Sequence, residues 1–227
     1  MDKNNALLDL AIKRKQTEPP TGSTRIGDYY NGIYECDYVS PFTRGANNVN
    51  AEIFVLLQDW SSHTDMIKPV TDLAKQKEEL LFGYTPNQPT NKKLKELLDR
   101  YFHITIADTY GTNLYPFVKP DDMSSFILQN DLEWAAEQFA LPQIKIVAPK
   151  IVICLGIKTF NALRSVCGEK QVESVEEGIN EHFPFNSASV WLQAHTGFHG
   201  QYNRNHSGVD KVNSDWEIMA KYFHSLS

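Results

Sequence analysis

The sequence predicts an α/β protein, a three-layer sandwich whose central, mostly parallel four-stranded sheet is covered by helices on both faces. Three observations predict it. Short continuous apolar runs alternate with amphipathic helical stretches, the pattern of a sheet buried on both faces. Three of the four runs end in polar loops bearing Gly, His or Asn, where such sheets hold their ligands. The 227 residues, 41% hydrophobic and 22% charged, suit one domain with a substantial core, and residues 1–25 read as a helix and linker attached to it.

The elements follow in order. Leu7, Leu8, Ala11 and Ile12 recur at helical spacing, which predicts a helix over 6–15. The run from Glu18 through Pro19, Pro20 and Gly22 to Ser23 breaks it and forms a linker. Residues 29–50, rich in Tyr, Gly, Asn and Pro, predict an ordered but irregular loop. Residues 52–57 read as a fully buried strand that stops at the polar cluster 58–63. A helix is expected over 66–81, with Pro69 limiting where it can begin. A turn at 85–90 leads into a helix over 91–102, with Leu94, Leu97, Leu98 and Tyr101 on one face. Residues 103–108 are taken as the second strand, ending in a loop that carries Asn113. Residues 131–141 are helical, 150–156 form the third strand and 159–166 another helix. Residues 188–193 form the fourth strand, ending in a Gly- and His-bearing loop over 194–200, and 209–223 form a final helix. The sequence holds no internal repeat and no low-complexity segment.

Composition narrows the function. The three cysteines, Cys36, Cys154 and Cys167, are odd in number and contain no C-x-x-C pair. That argues against a disulfide framework and a four-cysteine metal or iron–sulfur site, so no metal and no cofactor are expected. The net charge of −6 speaks against broad coating of DNA, although a local positive rim is enough to grip a few phosphates. The polar start, Met1 to Asn5, is followed by no apolar signal segment, and runs such as 53–57 are too short to cross a bilayer. The expectation is a cytoplasmic, monomeric protein with no membrane partner.

The chemistry sits at strand ends: Gln58 and Asp59 after the first, Asn113 after the second, His195 after the fourth. A carboxylate, an amide and an imidazole brought together suit proton handling and hydrogen-bond recognition. Each has a plainer reading alone: Asp59 as a helix N-cap, Asn113 as a turn residue, His195 as a solvated loop residue.

Taken in order, the motifs resemble those of the uracil-DNA glycosylase superfamily. The string Leu57-Gln58-Asp59-Trp60-Ser61-Ser62 is similar to the family's Gly-Gln-Asp-Pro-Tyr-His. Leu81-Phe82 with a following Pro-bearing turn, Thr112-Asn113-Leu114-Tyr115-Pro116, the strand at 151–156, and His195-Thr196-Gly197 in place of His-Pro-Ser complete the series. The resemblance spans residues 29–225. The Gly, Pro, Tyr and His of the first motif and the Pro and Ser of the last are replaced, and the chain lacks the four cysteines of the cluster-bearing branches.

The resemblance implies a monofunctional DNA glycosylase with DNA as partner. Asp59 would stabilise the oxocarbenium-like sugar or orient water, and His195 would stabilise charge on the departing base. Asn113 would read the flipped base, Phe82 would stack on it with Tyr84 as substitute, and Gln58 would offer backbone contacts. Thr196, Gly197, Phe198, His199, Tyr202 and Arg204 would contact DNA, the aromatics as a wedge and Arg204 on phosphate, in a loop made mobile by Gly197 and Gly200. The family's Tyr that blocks carbon 5 of the pyrimidine is matched by Ser61. An open pocket there implies a 5-substituted base, such as the hydroxymethylated or sugar-decorated cytosine of phage DNA, in a defence role, unless Trp60 refills the space and uracil is the target. Two alternatives stand beside this: a non-catalytic base-binding module of the same fold, and an unrelated α/β nucleotide-processing enzyme, the latter disfavoured by the lack of a Gly-rich phosphate loop.

Overall fold

A computed structural model describes residues 2–20 and 22–226; Met1 of the polar start, Thr21 of the linker and Ser227 lie outside the described residues. Strand β1 (Ile53–Asp59) is the hub. Ile53, Val55 and Leu57 enter one core, while Phe54 and Leu56 enter the other. Burial on both faces leaves no polar stripe, so the strand is a continuous apolar run. β2 (Tyr110–Tyr115) and β3 (Ile151–Leu155) pair parallel on either side of β1. β5 (Ala188–Gln193) continues the parallel sheet beyond β3, and β4 (Phe183–Phe185) closes that edge antiparallel. The order is β2-β1-β3-β5-β4. The sheet therefore has five strands rather than the expected four. The extra one is a three-residue hairpin arm, too short to carry a periodic signal.

Helices flank both faces. α1 (Lys3–Gln16), α5 (Gln129–Ala135), a π turn over Ala136–Ala140, α6 (Leu141–Val147) and α7 (Ile157–Val166) lie on one side. They bury Leu132, Phe139, Ile144, Phe160 and Leu163 against the sheet. α4 (Pro89–Phe102) and α10 (Lys211–His224) cover the other with Leu94, Leu97, Leu98, Trp216 and Met219. Three short helices, α2 (His63–Met66), α8 (Val175–Gly178) and α9 (Phe198–Arg204), and the ten-residue α3 (Leu73–Phe82) complete the set. Among the described residues no helix is long and apolar enough to cross a membrane.

The second strand lies at 110–115, not 103–108. His103 ends α4 in the left-handed conformation (φ 57°), its N–H donating to the Asp99 carbonyl. Thr105 and Asp108 then cap each other across a 3-10 turn over Ile106–Asp108. The strand that follows carries Thr112 and Asn113 inside the core, which disguises it as a loop. The helix expected over 66–81 is split, with a break at 67–72 around Pro69.

The N-terminal helix belongs to the domain. The fully buried Arg14 donates to both carboxylate oxygens of Glu35 (2.8 and 2.5 Å) and to the carbonyls of Cys36 and Tyr38 (3.3 and 3.1 Å). α3 ends on Gly83, which has φ 75°; a Cβ there would stand 1.6 Å from the Pro41 carbonyl oxygen. The same residue's carbonyl accepts the Trp60 indole N–H at 2.8 Å. Gly83→Ala is therefore expected to cost at least about 2 kcal/mol, through left-handed strain and backbone overlap. Urea unfolding measures it, and a loss below about 0.5 kcal/mol would contradict this packing.

Candidate functional site

The carboxyl ends of β1, β3 and β5 open onto one cavity of about 810 Å³. Gln58, Asp59 and Ser61 reach it from the end of β1. Gly156, Ile157 and Lys158 reach it from the β3–α7 junction, His195 from just beyond β5, and Asn113 from within β2. Asp59, Asn113 and His195, distant in sequence, meet there because parallel strands present their ends on one side of the sheet.

Asp59 sits at the base of a small electrostatic network. Its Oδ1 accepts the Gln58 amide at 2.9 Å. The Nζ of Lys119 lies 3.2 Å from Oδ2, both side chains being nearly buried. That approach is off the line of a hydrogen bond, so Oδ2 faces a charge but has no hydrogen-bond partner among the described residues. Lys119 also donates to the Met123 carbonyl at 2.8 Å. Backbone bonds place it: Lys119 N–H to the Ser61 carbonyl (3.3 Å) and His63 N–H to the Lys119 carbonyl (2.8 Å) extend the β1–β2 pairing past both strands. The helix caps nearby are Ser62 for α2 and Asp72 for α3, so Asp59 is not an N-cap.

His195 is held by its own loop. The Gly197 N–H donates to Nδ1 at 3.0 Å, which assigns the ring proton to Nε2 in the neutral imidazole. Gly197 and Gly200 do not loosen this segment; they let it close on the histidine. A Cβ at 197 would lie 2.9 Å from Nδ1, and one at 200 would lie 2.2 Å from the His195 carbonyl oxygen. The segment expected as a mobile loop is helix α9. The ring keeps a face open to the cavity, while the crowding of protein atoms around it lowers its pKa below the ordinary histidine value. The Asp59 charge acts in the opposite direction.

Asn113 lies inside β2 rather than after it, opposite Leu57. The Ser40 hydroxyl, which accepts the Phe42 N–H at 3.3 Å, donates to the Asn113 Oδ1 at 2.6 Å. That bond turns the amide so that Nδ2 is the group left for the cavity. Phe82 is half-buried and does not line the cavity, whereas Tyr84 does, stacked on Phe42 at 4.8 Å between ring centroids. Trp60 lines the cavity with its position fixed: its indole N–H donates to the Gly83 carbonyl and its ring packs on Tyr34 at 5.5 Å.

The residues past His195 divide. Thr196 is buried. Phe198 and Tyr202 stand exposed and stacked, with centroids 6.0 Å apart and planes at 14°, and His199 is exposed beside them. Arg204 is taken up within the fold, bonded to both oxygens of Asp215 (2.6 and 2.9 Å) and to Glu176, so its guanidinium faces carboxylates rather than solvent. Among the described residues no group of three His, Cys, Asp or Glu is arranged for a metal.

Sequence reasoning missed Lys119, Ser40 and Phe42. The one available signal was a lysine closing the apolar pair Phe117-Val118 just before Pro120; a cation ending a buried run needs a buried partner.

Two outcomes follow. Lys119→Met should destabilise by about 3 kcal/mol, because it strands a buried carboxylate. Adding Asp59→Asn should recover part of that loss in a double-mutant cycle; additive losses would show that the two charges do not interact. The His195 ring should titrate below about 6.5 by NMR, and lower still in Asp59→Asn, since the opposing charge is gone. A midpoint that rises in that variant would overturn this account of the ring. Compared with known proteins, the chain matches no family model, and no curated protein matches it.

Proposed function

We propose that the protein is a DNA glycosylase of the uracil-DNA glycosylase type that hydrolyses the N-glycosidic bond of a flipped pyrimidine and leaves an abasic site. The observation that carries this reading is the convergence of Asp59, Asn113 and His195 on one cavity. Breaking the bond builds positive charge on the sugar and negative charge on the leaving ring. Asp59 serves the first by facing the sugar and holding water. A neutral imidazole with its proton on Nε2 serves the second by donating to a carbonyl oxygen of the base as charge grows there. Asn113 offers Nδ2 to an acceptor on the base, and Tyr84 with Phe42 provides an aromatic wall. Outside the cavity, the exposed Phe198–Tyr202 pair is a stacking platform for the bases next to the vacated position.

Ser61 leaves the space beside carbon 5 unblocked, and Trp60, fixed to Gly83, does not refill it. The substrate is therefore a pyrimidine that can carry a substituent on carbon 5. One observation favours a reading without chemistry: the Asp59 charge is already met by Lys119, as a purely structural pair would be.

A panel of labelled DNAs decides between them, holding uracil, 5-hydroxymethylcytosine, its glucosylated form and the normal bases, with alkali to reveal abasic sites. Base release should fall about 10²–10³-fold in His195→Ala and at least as far in Asp59→Asn. Silence in every lane with tight DNA binding intact would leave a non-catalytic reader of DNA; silence without binding would end the glycosylase reading.

A further inference from the structure

We infer that the part of the cavity walled by Trp60, Tyr34 and α3 is a second subsite, and that it binds a neutral polyhydroxylated group attached to carbon 5 of the pyrimidine. The inference rests on the glycosylase reading above and names what its pocket selects.

Volume is the first argument. About 810 Å³ lies in the range that encloses a whole drug-sized ligand, several times what one pyrimidine ring fills. The surplus is bounded on one side, because the same cavity is lined by Tyr34, Trp60, Lys75, Gln76, Glu79 and the link over 68–72. All but Tyr34 belong to the segment between β1 and α4. Ser61 lies on the same wall, so a group on carbon 5 has a path past it.

The lining chemistry is the second. Glu79 is half-buried and preset: one carboxylate oxygen accepts the Thr85 hydroxyl at 2.7 Å, the other faces the Tyr34 hydroxyl at 3.5 Å, and the Lys75 ammonium stands 3.8 Å away. A carboxylate held this way keeps lone pairs for neighbouring hydroxyls of a ligand, and the Gln76 amide adds a donor and an acceptor. The Trp60 and Tyr34 rings, packed at 5.5 Å, offer an apolar face to the C–H side of a sugar ring. A hydrocarbon substituent would strip water from Glu79 and Lys75 with nothing in return. On this wall Lys68 and Lys75 offset Asp65 and Glu79, with Asp72 left over, so an anionic one meets no surplus of positive charge. A polyol satisfies both the acceptors and the rings.

The test uses the full chain and oligonucleotides that differ only at carbon 5 of one cytosine: unsubstituted, hydroxymethyl and glucosyl-hydroxymethyl. The glucosylated oligonucleotide should be cut with kcat/KM at least about tenfold above the hydroxymethyl one. Glu79→Gln and, separately, Gln76→Ala should each shrink that ratio, which internal comparison protects against a general loss of folded protein. Binding is measured in parallel with Asp59→Asn, where the glucosylated oligonucleotide should bind at least about tenfold tighter. Equal rates and equal Kd values for the two substituted oligonucleotides would overturn the subsite and leave the glycosylase standing. Selective binding without base release by the wild type would do the reverse.

Discussion

A carboxylate at the end of a strand buried on both faces must either be neutralised or reach water, and Asp59 does both. The alternation of Ile53, Val55 and Leu57 against Phe54 and Leu56 leaves β1 no polar face until residue 58. There the chain must turn polar, and it does so beside Lys119 at 3.2 Å and at the floor of a large cavity. The rest of the site is arranged around that point. The backbone ladder that places Lys119 also places Ser61 and His63. The same parallel sheet that buries β1 carries Asn113 to the cavity from the neighbouring β2 and His195 from the end of β5, one strand beyond β3.

What could be foreseen from the sequence follows from how each strand hides its polar atoms. β1 and β3 bury continuous apolar runs, and β5 confines its buried polar residues, Ser189 and Gln193, to either end of an apolar Val190-Trp191-Leu192 centre, so all three stand out as apolar runs. β2 buries Thr112 and Asn113, and its amide is satisfied by Ser40, seventy-three positions earlier. No local pattern announces a polar strand whose partner is that remote. The glycines after His195 misled for a related reason. A glycine permits either freedom or close approach, and only the neighbours decide. Here the neighbour is His195 itself, packed so tightly against positions 197 and 200 that any side chain would displace it. Arg204 reads as a free cation in the sequence because Asp215 and Glu176, which hold it, sit on other elements.

The cavity draws on nearly every layer of the fold. Its floor is the ends of strands and its far wall is the segment between β1 and α4. That segment is stitched down by Gly83, whose carbonyl holds Trp60 and whose missing side chain admits Pro41. The arrangement holds the carboxylate, amide and imidazole in place independently of the residues that separate them in sequence. The three polar groups are fixed by backbone contacts and by Ser40, Gln58 and Lys119, so the residues between them are free to change the shape of the pocket.

Lys119 also constrains what Asp59 can contribute. An ammonium 3.2 Å from one carboxylate oxygen offsets part of the field that the carboxylate would exert on a cationic sugar. On the proposed reading, Asp59 then acts more by holding a water in place than by opposing charge, and its Gln58 bond fixes the oxygen that does so. The burden of charge stabilisation passes to His195. Its environment suits that task, since the Gly197 N–H donates to Nδ1 and commits the ring proton to Nε2 and crowding lowers the pKa in the same sense. A glycosylase built this way depends on the leaving base accepting a hydrogen bond from a neutral donor, and that requirement is met by any pyrimidine that keeps a carbonyl oxygen facing His195, whatever carbon 5 carries.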